Sequence, residues 1–284
     1  MISSLRPTTS PPLTASIDRM TAHLGPDPTN EKPTILLVHG SWQGAWSWEP
    51  VQARLHAAGY RTLAPTLPGH EPGDDRSRVT HSDYVTSVLD VLDAAPDIPM
   101  VLVGHSFGGT VISRVADLRP ECCQVLVYYS AFVPGDGEPV DLPAPFLDTI
   151  RQLATASPDN SIALPYEAFR SGFANTATEA EAERIYARLT PEPFGPVVEP
   201  IPLPRFDALD IPSVYISCRQ DQAMPPGHFH PRQSSRLRQP RLIEVDGDHE
   251  ALLTAPDRLA EAILAAVAPL LGPTPLATTG EARD

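Results

Sequence analysis

The chain has 284 residues, a formal net charge of -14 and Lys32 as its single lysine. That length admits one large α/β domain or two small ones, and the acidic balance argues against a protein that tracks nucleic-acid phosphates or lies on a membrane through a basic helix. No apolar run approaches the roughly 18 residues of a membrane span, and no basic region with an apolar core opens the chain, so a cytoplasmic location is expected. Cys122, Cys123 and Cys218 are an odd number whose adjacent pair would be strained as a disulfide, and they read as reduced thiols. Abundant Arg, Pro and Ala suggest a GC-rich bacterial source.

In chain order, residues 1–32 are rich in Ser, Thr and Pro and read as an arm with a short helix at 17–24. Residues 34–38 (TILLV) form the first buried strand and run into His39-Gly40-Ser41-Trp42, followed by Trp46 and Trp48. A helix over 48–58 closed by Gly59 and a short strand over 61–64 come next, then a Pro- and Gly-rich loop over 65–77. Thr80 with Asp83 three residues on opens another helix, whose inner stripe is Val85, Val88, Leu89 and Leu92.

Residues 99–118, PMVLVGHSFGGTVISRVADL, then pass from an apolar run through a Gly-rich turn into a segment with apolar residues at helical spacing. This is the setting of a G-x-S-x-G nucleophile elbow, in which a tight strand-to-helix turn lifts the Ser106 hydroxyl above the end of a sheet. The bare string turns up by chance in roughly one chain in ten of this length, so the flanking strand and helix carry the assignment.

After a strand over 124–130 (QVLVYYS), the alternation of strand and helix implies parallel strands joined by helical crossovers. Residues 134–205 then show no strand signal, only Pro-punctuated helical pieces, the clearest at 178–189, and are expected to form a lid. The alternating rhythm returns with a strand over 213–217 (SVYIS), a helix near 229–237, a strand over 241–245 (RLIEV) and a helix from 256 to about 271. Residues 272–284 read as a frayed tail.

A serine hydroxyl is a poor nucleophile at neutral pH and needs a base, which in turn needs an orienting acid. His249, in Asp246-Gly247-Asp248-His249-Glu250 just after the last strand, is the candidate base. His39 and His105 sit at tight turns beside glycines, where a histidine more often packs locally. His228 and His230, two residues apart, do not share a helix face and no third ligand is near in sequence, so no metal site is expected. Asp221, at the end of the strand 213–217, is favoured as the acid over Asp136, which follows the strand 124–130. An oxyanion needs two N–H donors, for which Phe107 and Ser41 are the candidates, with Gly40 letting the backbone approach. The tryptophans serve either an acyl pocket or the core.

With these residues in place the chain resembles the α/β-hydrolase superfamily, and within it the branch that holds plant methylesterases and hydroxynitrile lyases. The matching stretches are 38–46 (VHGSWQGAW), 104–109 (GHSFGG), 214–221 (VYISCRQD) and 247–249 (GDH), and the likeness spans about 34–268. It implies an α/β-hydrolase fold with a mainly parallel six-stranded sheet flanked by helices and a helical cap inserted after the fourth strand. The domain plan is an arm (1–32), a core (33–133 and 206–271), a cap (134–205) and a disordered tail (272–284). It also implies a triad of Ser106, Asp221 and His249 and an oxyanion hole at Ser41 and Phe107, while Gly40 and Trp42, read from the loop itself, are the candidate substrate contacts. No cofactor is expected, and the expected partner is a small-molecule substrate, with a homodimer as a candidate assembly.

The lyases of this branch carry a lysine directly after the histidine and a threonine at the position of Gly40. Here Glu250 follows His249, and a carboxylate there is expected to repel a developing anion. The leading expectation is hydrolysis of a small carboxylic ester or lactone through an acyl-enzyme on Ser106. The alternatives are a lyase, cyclase or isomerase that uses the same three side chains, and a ligand-binding protein without catalysis.

Overall fold

The structure, a computed structural model, describes residues 32–95 and 99–270. The expected arm, its helix at 17–24 and the tail at 272–284 lie outside the described residues. Elements follow the order β1 (Ile35–Val38), α1 (Glu49–Ala57), β2 (Thr62–Leu63), α2 (His81–Asp93), β3 (Met100–His105), α3 (Gly108–Leu118) and β4 (Cys123–Tyr129). The insertion that follows holds α4 (Ala144–Ala156), β5 (Ser161–Ile162), α5 (Glu179–Tyr186), β6 (Glu192–Pro193) and α6 (Phe194–Val198). The chain then returns through β7 (Ser213–Cys218), α7 (Phe229–Ser234), β8 (Arg241–Val245), α8 (Ala251–Thr254) and α9 (Pro256–Val267).

The main sheet has six strands in the order β2-β1-β3-β4-β7-β8, and every pairing in it is parallel. The short apolar runs dictate this. Side chains alternate across a strand, so a strand buried on both faces must be apolar throughout. In β1, Leu36 and Val38 join one core with α2 and α3, while Ile35 and Leu37 join the other with α1 and α9. Leu102 against Val101 and Val103, and Leu126 against Val125 and Val127, split in the same way. Fully burying each such side chain contributes about 1.5–3 kcal/mol, so the central strands carry much of the stability.

Local signals account for the helix ends. Thr80 accepts the Asp83 N–H at 3.2 Å while the Asp83 carboxylate accepts the Thr80 N–H at 2.8 Å, closing a capping box at α2. Thr178 and Glu181 make the same box at α5, which is shorter than the 178–189 expected. The helix expected near 229–237 likewise ends at Ser234.

The insertion corrects one expectation. Residues 134–205 do contain strands, since β5 and β6 pair antiparallel and Glu138 bridges Ile201. Each strand of that ribbon is two residues long, too short to show an alternating pattern. Cys122, Cys123 and Cys218 are buried free thiols. Among the described residues, no helix is long and apolar enough to cross a membrane.

Because the main strands run parallel, the loops after β1, β3, β7 and β8 leave the same edge of the sheet. That edge gathers Ser41, Ser106, Asp221 and His249.

Candidate active site

Ser106 follows β3 in the left-handed region at φ 50°, a conformation that costs a non-glycine residue of order 1–3 kcal/mol and is held only by its surroundings. Its N–H donates to the Tyr129 carbonyl at 3.1 Å, and its carbonyl accepts from Gly109 at 3.1 Å and Phe132 at 3.0 Å. The glycines make the elbow sterically feasible. A Cβ on Gly108 would come 2.6 Å from the Val38 carbonyl, one on Gly109 would overlap the Phe132 carbonyl, and one on Gly40 would come 2.9 Å from Ser106 Cβ.

His249 Nδ1 donates to Asp221 Oδ2 at 2.9 Å, and Asp221, fully buried, accepts the Met224 N–H on its other oxygen at 2.7 Å. That bond fixes the His249 tautomer and leaves Nε2 as the basic nitrogen. Nε2 is buried and has no hydrogen-bond partner among the described residues, the Ser106 hydroxyl included. Burial pushes His249 down, but the charge of the Asp221 carboxylate and its hydrogen bond override this and raise the imidazole from its ordinary 6.5.

The backbone of the His249 loop is anchored from below. Its carbonyl accepts both His105 Nε2–H at 3.0 Å and the Tyr129 hydroxyl at 2.7 Å, and the His105 ring packs 4.8 Å from that of His249. His105 directly precedes Ser106, so this contact ties the elbow to the base.

The other histidines are occupied elsewhere. His39 donates Nδ1–H to the Gly40 carbonyl at 2.8 Å and accepts the Leu67 N–H at 2.9 Å, and burial lowers it to about 4. His230 stands with Nδ1 3.2 Å from the Tyr215 hydroxyl and Nε2 3.8 Å from Asp221, whereas His228 occupies the position just before α7 without a side-chain capping bond. Among the described residues no group of three or more His, Cys, Asp or Glu is arranged to hold a metal ion. Asp136 instead accepts the Leu203 N–H at 2.6 Å, and the partner of His249 is Asp221.

Ser41 stands in the loop after β1 and Phe107 directly after Ser106 at the cap of α3, and neither N–H donates to another described residue. Trp42 is largely buried in the core and meets the Phe173 ring edge-on at 5.5 Å.

Glu250 departs from the expectation. Its side chain turns into the interior, where Gln43 Nε2 donates to it at 2.5 Å. Burial raises it to about 8, with His249 opposing and Asp248 and Asp221 reinforcing the rise. Glu250 is therefore neutral through most of the physiological range, and the repulsion argument against a developing anion does not hold.

Sequence reasoning missed the grip of the insertion on these loops. Phe173 packs edge-on at 5.2 Å against His249 and its carbonyl accepts the Glu250 N–H at 3.2 Å. Thr176 donates both its N–H, at 2.9 Å, and its hydroxyl, at 2.7 Å, to Asp248, and Asn175 donates to the Gln220 carbonyl at 2.9 Å. Glu192 reaches Trp42 from β6. No one-dimensional signal marks these residues, whose partners lie tens of positions away or more.

A family model described as the alpha/beta hydrolase family matches residues 35–262. The chain belongs to the alpha/beta hydrolase family. The chain is 40% identical over 109 residues to a carbendazim-hydrolyzing esterase of Nocardioides, an alignment that covers 37% of this chain and 44% of that protein. The chain thus spans less than half the length of that relative. It is 30% identical over 244 residues to a pyrethroid hydrolase of Sphingobium wenxiniae, covering 81% of this chain and 85% of that one.

An extracellular alpha/beta-hydrolase of a Paenibacillus species, described as sharing structural and functional homology with tobacco salicylic acid-binding protein 2, superposes with a TM-score of 0.79. The two are 37% identical over 83% of this chain and 99% of that one. An alpha-hydroxynitrile lyase and methylesterase 9 of Arabidopsis thaliana match at 35% and 36% identity over 36% and 37% of this chain and 41% and 42% of theirs. The chain is similar to those two plant enzymes over these stretches.

Proposed function

We propose that the protein is a serine hydrolase that cleaves a small carboxylic ester or lactone through an acyl-enzyme on Ser106. The observation that carries this reading is the His249–Asp221 hydrogen bond of 2.9 Å, with a buried, unpartnered Nε2 at the sheet edge that also carries Ser106 at φ 50°. A relative named as an esterase and another named as a hydrolase support it.

In this reading His249 Nε2 takes the Ser106 proton as the hydroxyl attacks the carbonyl carbon, and Asp221 stabilises the resulting imidazolium without itself being protonated. The Ser41 and Phe107 N–H groups receive the oxyanion, the latter aided by the positive end of α3. His249 then protonates the leaving alcohol, and a water activated by the same nitrogen releases the acid. Contact between Ser106 and His249 tightens on substrate binding, as such bonds commonly do. The insertion acts as the cap over this site, Gly40 and Trp42 bound the substrate, and the buried free thiols agree with a cytoplasmic setting.

The test is turnover of an ester and lactone panel by wild type and Ser106→Ala, with mass-spectrometric detection of a fluorophosphonate adduct on Ser106. Turnover in Ser106→Ala should fall by about 10⁴-fold or more. Wild-type rates in that variant would refute acyl transfer. Dependence on His249 without labelling of Ser106 would point to acid–base chemistry of the lyase type.

A further inference from the structure

Trp42 follows the proposed oxyanion donor Ser41 and sits at φ 63°, in the left-handed region that a bulky aromatic residue rarely occupies. All its polar groups are held by the insertion. Its N–H donates to Glu192 Oε2 at 3.0 Å, its carbonyl accepts the Thr190 N–H at 2.9 Å, and its indole Nε1–H donates to the Ile162 carbonyl at 2.8 Å.

Glu192 is the charged member of this clamp. It is 1% exposed, accepts the Tyr84 hydroxyl on Oε1 at 2.9 Å and is also hydrogen-bonded by the Ser41 side chain. His70 closes the cluster, with Nε2 3.0 Å from the Tyr84 hydroxyl and 3.3 Å from Glu192 Oε2. Taking a carboxylate out of water costs several kcal/mol, and an N–H in a loop could be satisfied far more cheaply by water or a nearby carbonyl. A carboxylate brought 150 positions along the chain to this one peptide is therefore better explained by a geometric task than by stability.

We propose that Glu192 is a positioning residue for acyl transfer, pinning Ser41 through its hydroxyl and through the peptide that follows it, so that the Ser41 N–H is aimed at the oxyanion. This rests on the acyl-transfer reading above.

Burial lifts Glu192 to about 7, opposed by the bonds from Trp42, Tyr84 and Ser41 and by the charge of Arg76. His70 faces it as a neutral ring, since burial holds that imidazole well below its ordinary value, with His39 and Arg76 adding to the effect. Protonation of Glu192 near neutral pH weakens its acceptance from Trp42 and Ser41. Loss of positioning thus adds to loss of the base on the acid side of the profile.

The experiment compares kcat, KM and inhibition by an aryl trifluoromethyl ketone, whose hemiketal oxyanion uses the same donors, in wild type, Glu192→Ala, Glu192→Gln and Ser106→Ala. Losing one oxyanion donor typically costs about 10²- to 10³-fold, so a misaimed one should lower kcat by about 10- to 100-fold in Glu192→Ala, with KM within about 3-fold and ketone affinity falling in parallel with kcat. Glu192→Gln keeps a neutral carbonyl acceptor for Trp42, as the protonated acid does, so its kcat should fall between those of wild type and Glu192→Ala, with an acid limb of lower proton order than in wild type. Unchanged kcat and ketone affinity, or a change confined to KM, would overturn the positioning role. Should Glu192→Ala fail to fold, Glu192→Asp, which withdraws the carboxylate by one methylene, makes the same comparison with the same refuting outcome. Wild-type turnover in Ser106→Ala would instead sink the acyl-transfer reading itself, whatever the Glu192 variants do.

Discussion

Replacing Glu250 by Gln should change how stability depends on pH, and the sign follows from the structure. Glu250 is 3% exposed and burial raises it to about 8 from an ordinary 4.5. Between those values the folded chain holds a proton on Glu250 that the unfolded chain has released, so stability falls as pH rises through that window. At 1.36 kcal/mol per pH unit for one proton, the loss between pH 5 and 8 amounts to about 4 kcal/mol. Gln cannot ionise, and its carbonyl can still accept the Gln43 Nε2–H that Glu250 accepts at 2.5 Å. The variant should match wild type near pH 5 and exceed it by about 4 kcal/mol at pH 8, read by urea unfolding at pH 5, 6, 7 and 8 with linear extrapolation. A stability difference constant to within about 1 kcal/mol across that range would refute a neutral, buried Glu250.

Two further substitutions bear on the site and on the elbow. Asp221→Asn should remove the acceptor that selects the His249 tautomer and lower kcat by about 10⁴-fold, whereas Asp136→Asn, whose carboxylate serves Leu203, should leave kcat within about 2-fold; steady-state kinetics on one ester separates them, and equal losses would contradict the assignment. Gly109→Ala would drive a methyl group onto the Phe132 carbonyl and to 2.8 Å from Ala131 Cβ, which should cost about 1–3 kcal/mol and displace Ser106, seen as a lowered melting temperature together with lost turnover.

How much of this could be read in one dimension depended on how local each interaction is. The central strands were legible because burial on both faces demands unbroken apolar runs such as ILLV, and the elbow because its glycines are fixed by backbone approach within a few residues. Asp221 could be marked as a carboxylate at a strand end. That it meets His249 while Asp136 turns to Leu203 needed the fold. Glu192 was invisible, lying in Thr190-Pro191-Glu192-Pro193 on a two-residue strand with no periodicity. Glu250 misled for a different reason. Sequence shows a charge, whereas burial beside Asp248 and Asp221 makes that group neutral near pH 7.

The insertion is joined to the chemistry at more than one point. Thr176 and Asn175 hold the loops that carry His249 and Asp221, Phe173 packs on the His249 ring, and Glu192 with Thr190 and Ile162 holds the loop that carries Ser41. A segment that only roofed the site could vary freely to admit new substrates. Here the two short stretches 173–176 and 190–192 share their hydrogen bonds with the strand-end loops, so a change there alters the proposed base and oxyanion geometry along with any pocket shape. Freedom to reshape the substrate site without disturbing those loops therefore lies in the rest of the insertion, above all in α4, which buries only Ile150 and Ala154. Swaps confined to α4 should move KM more than kcat, whereas swaps across 173–176 or 190–192 should lower kcat for every substrate.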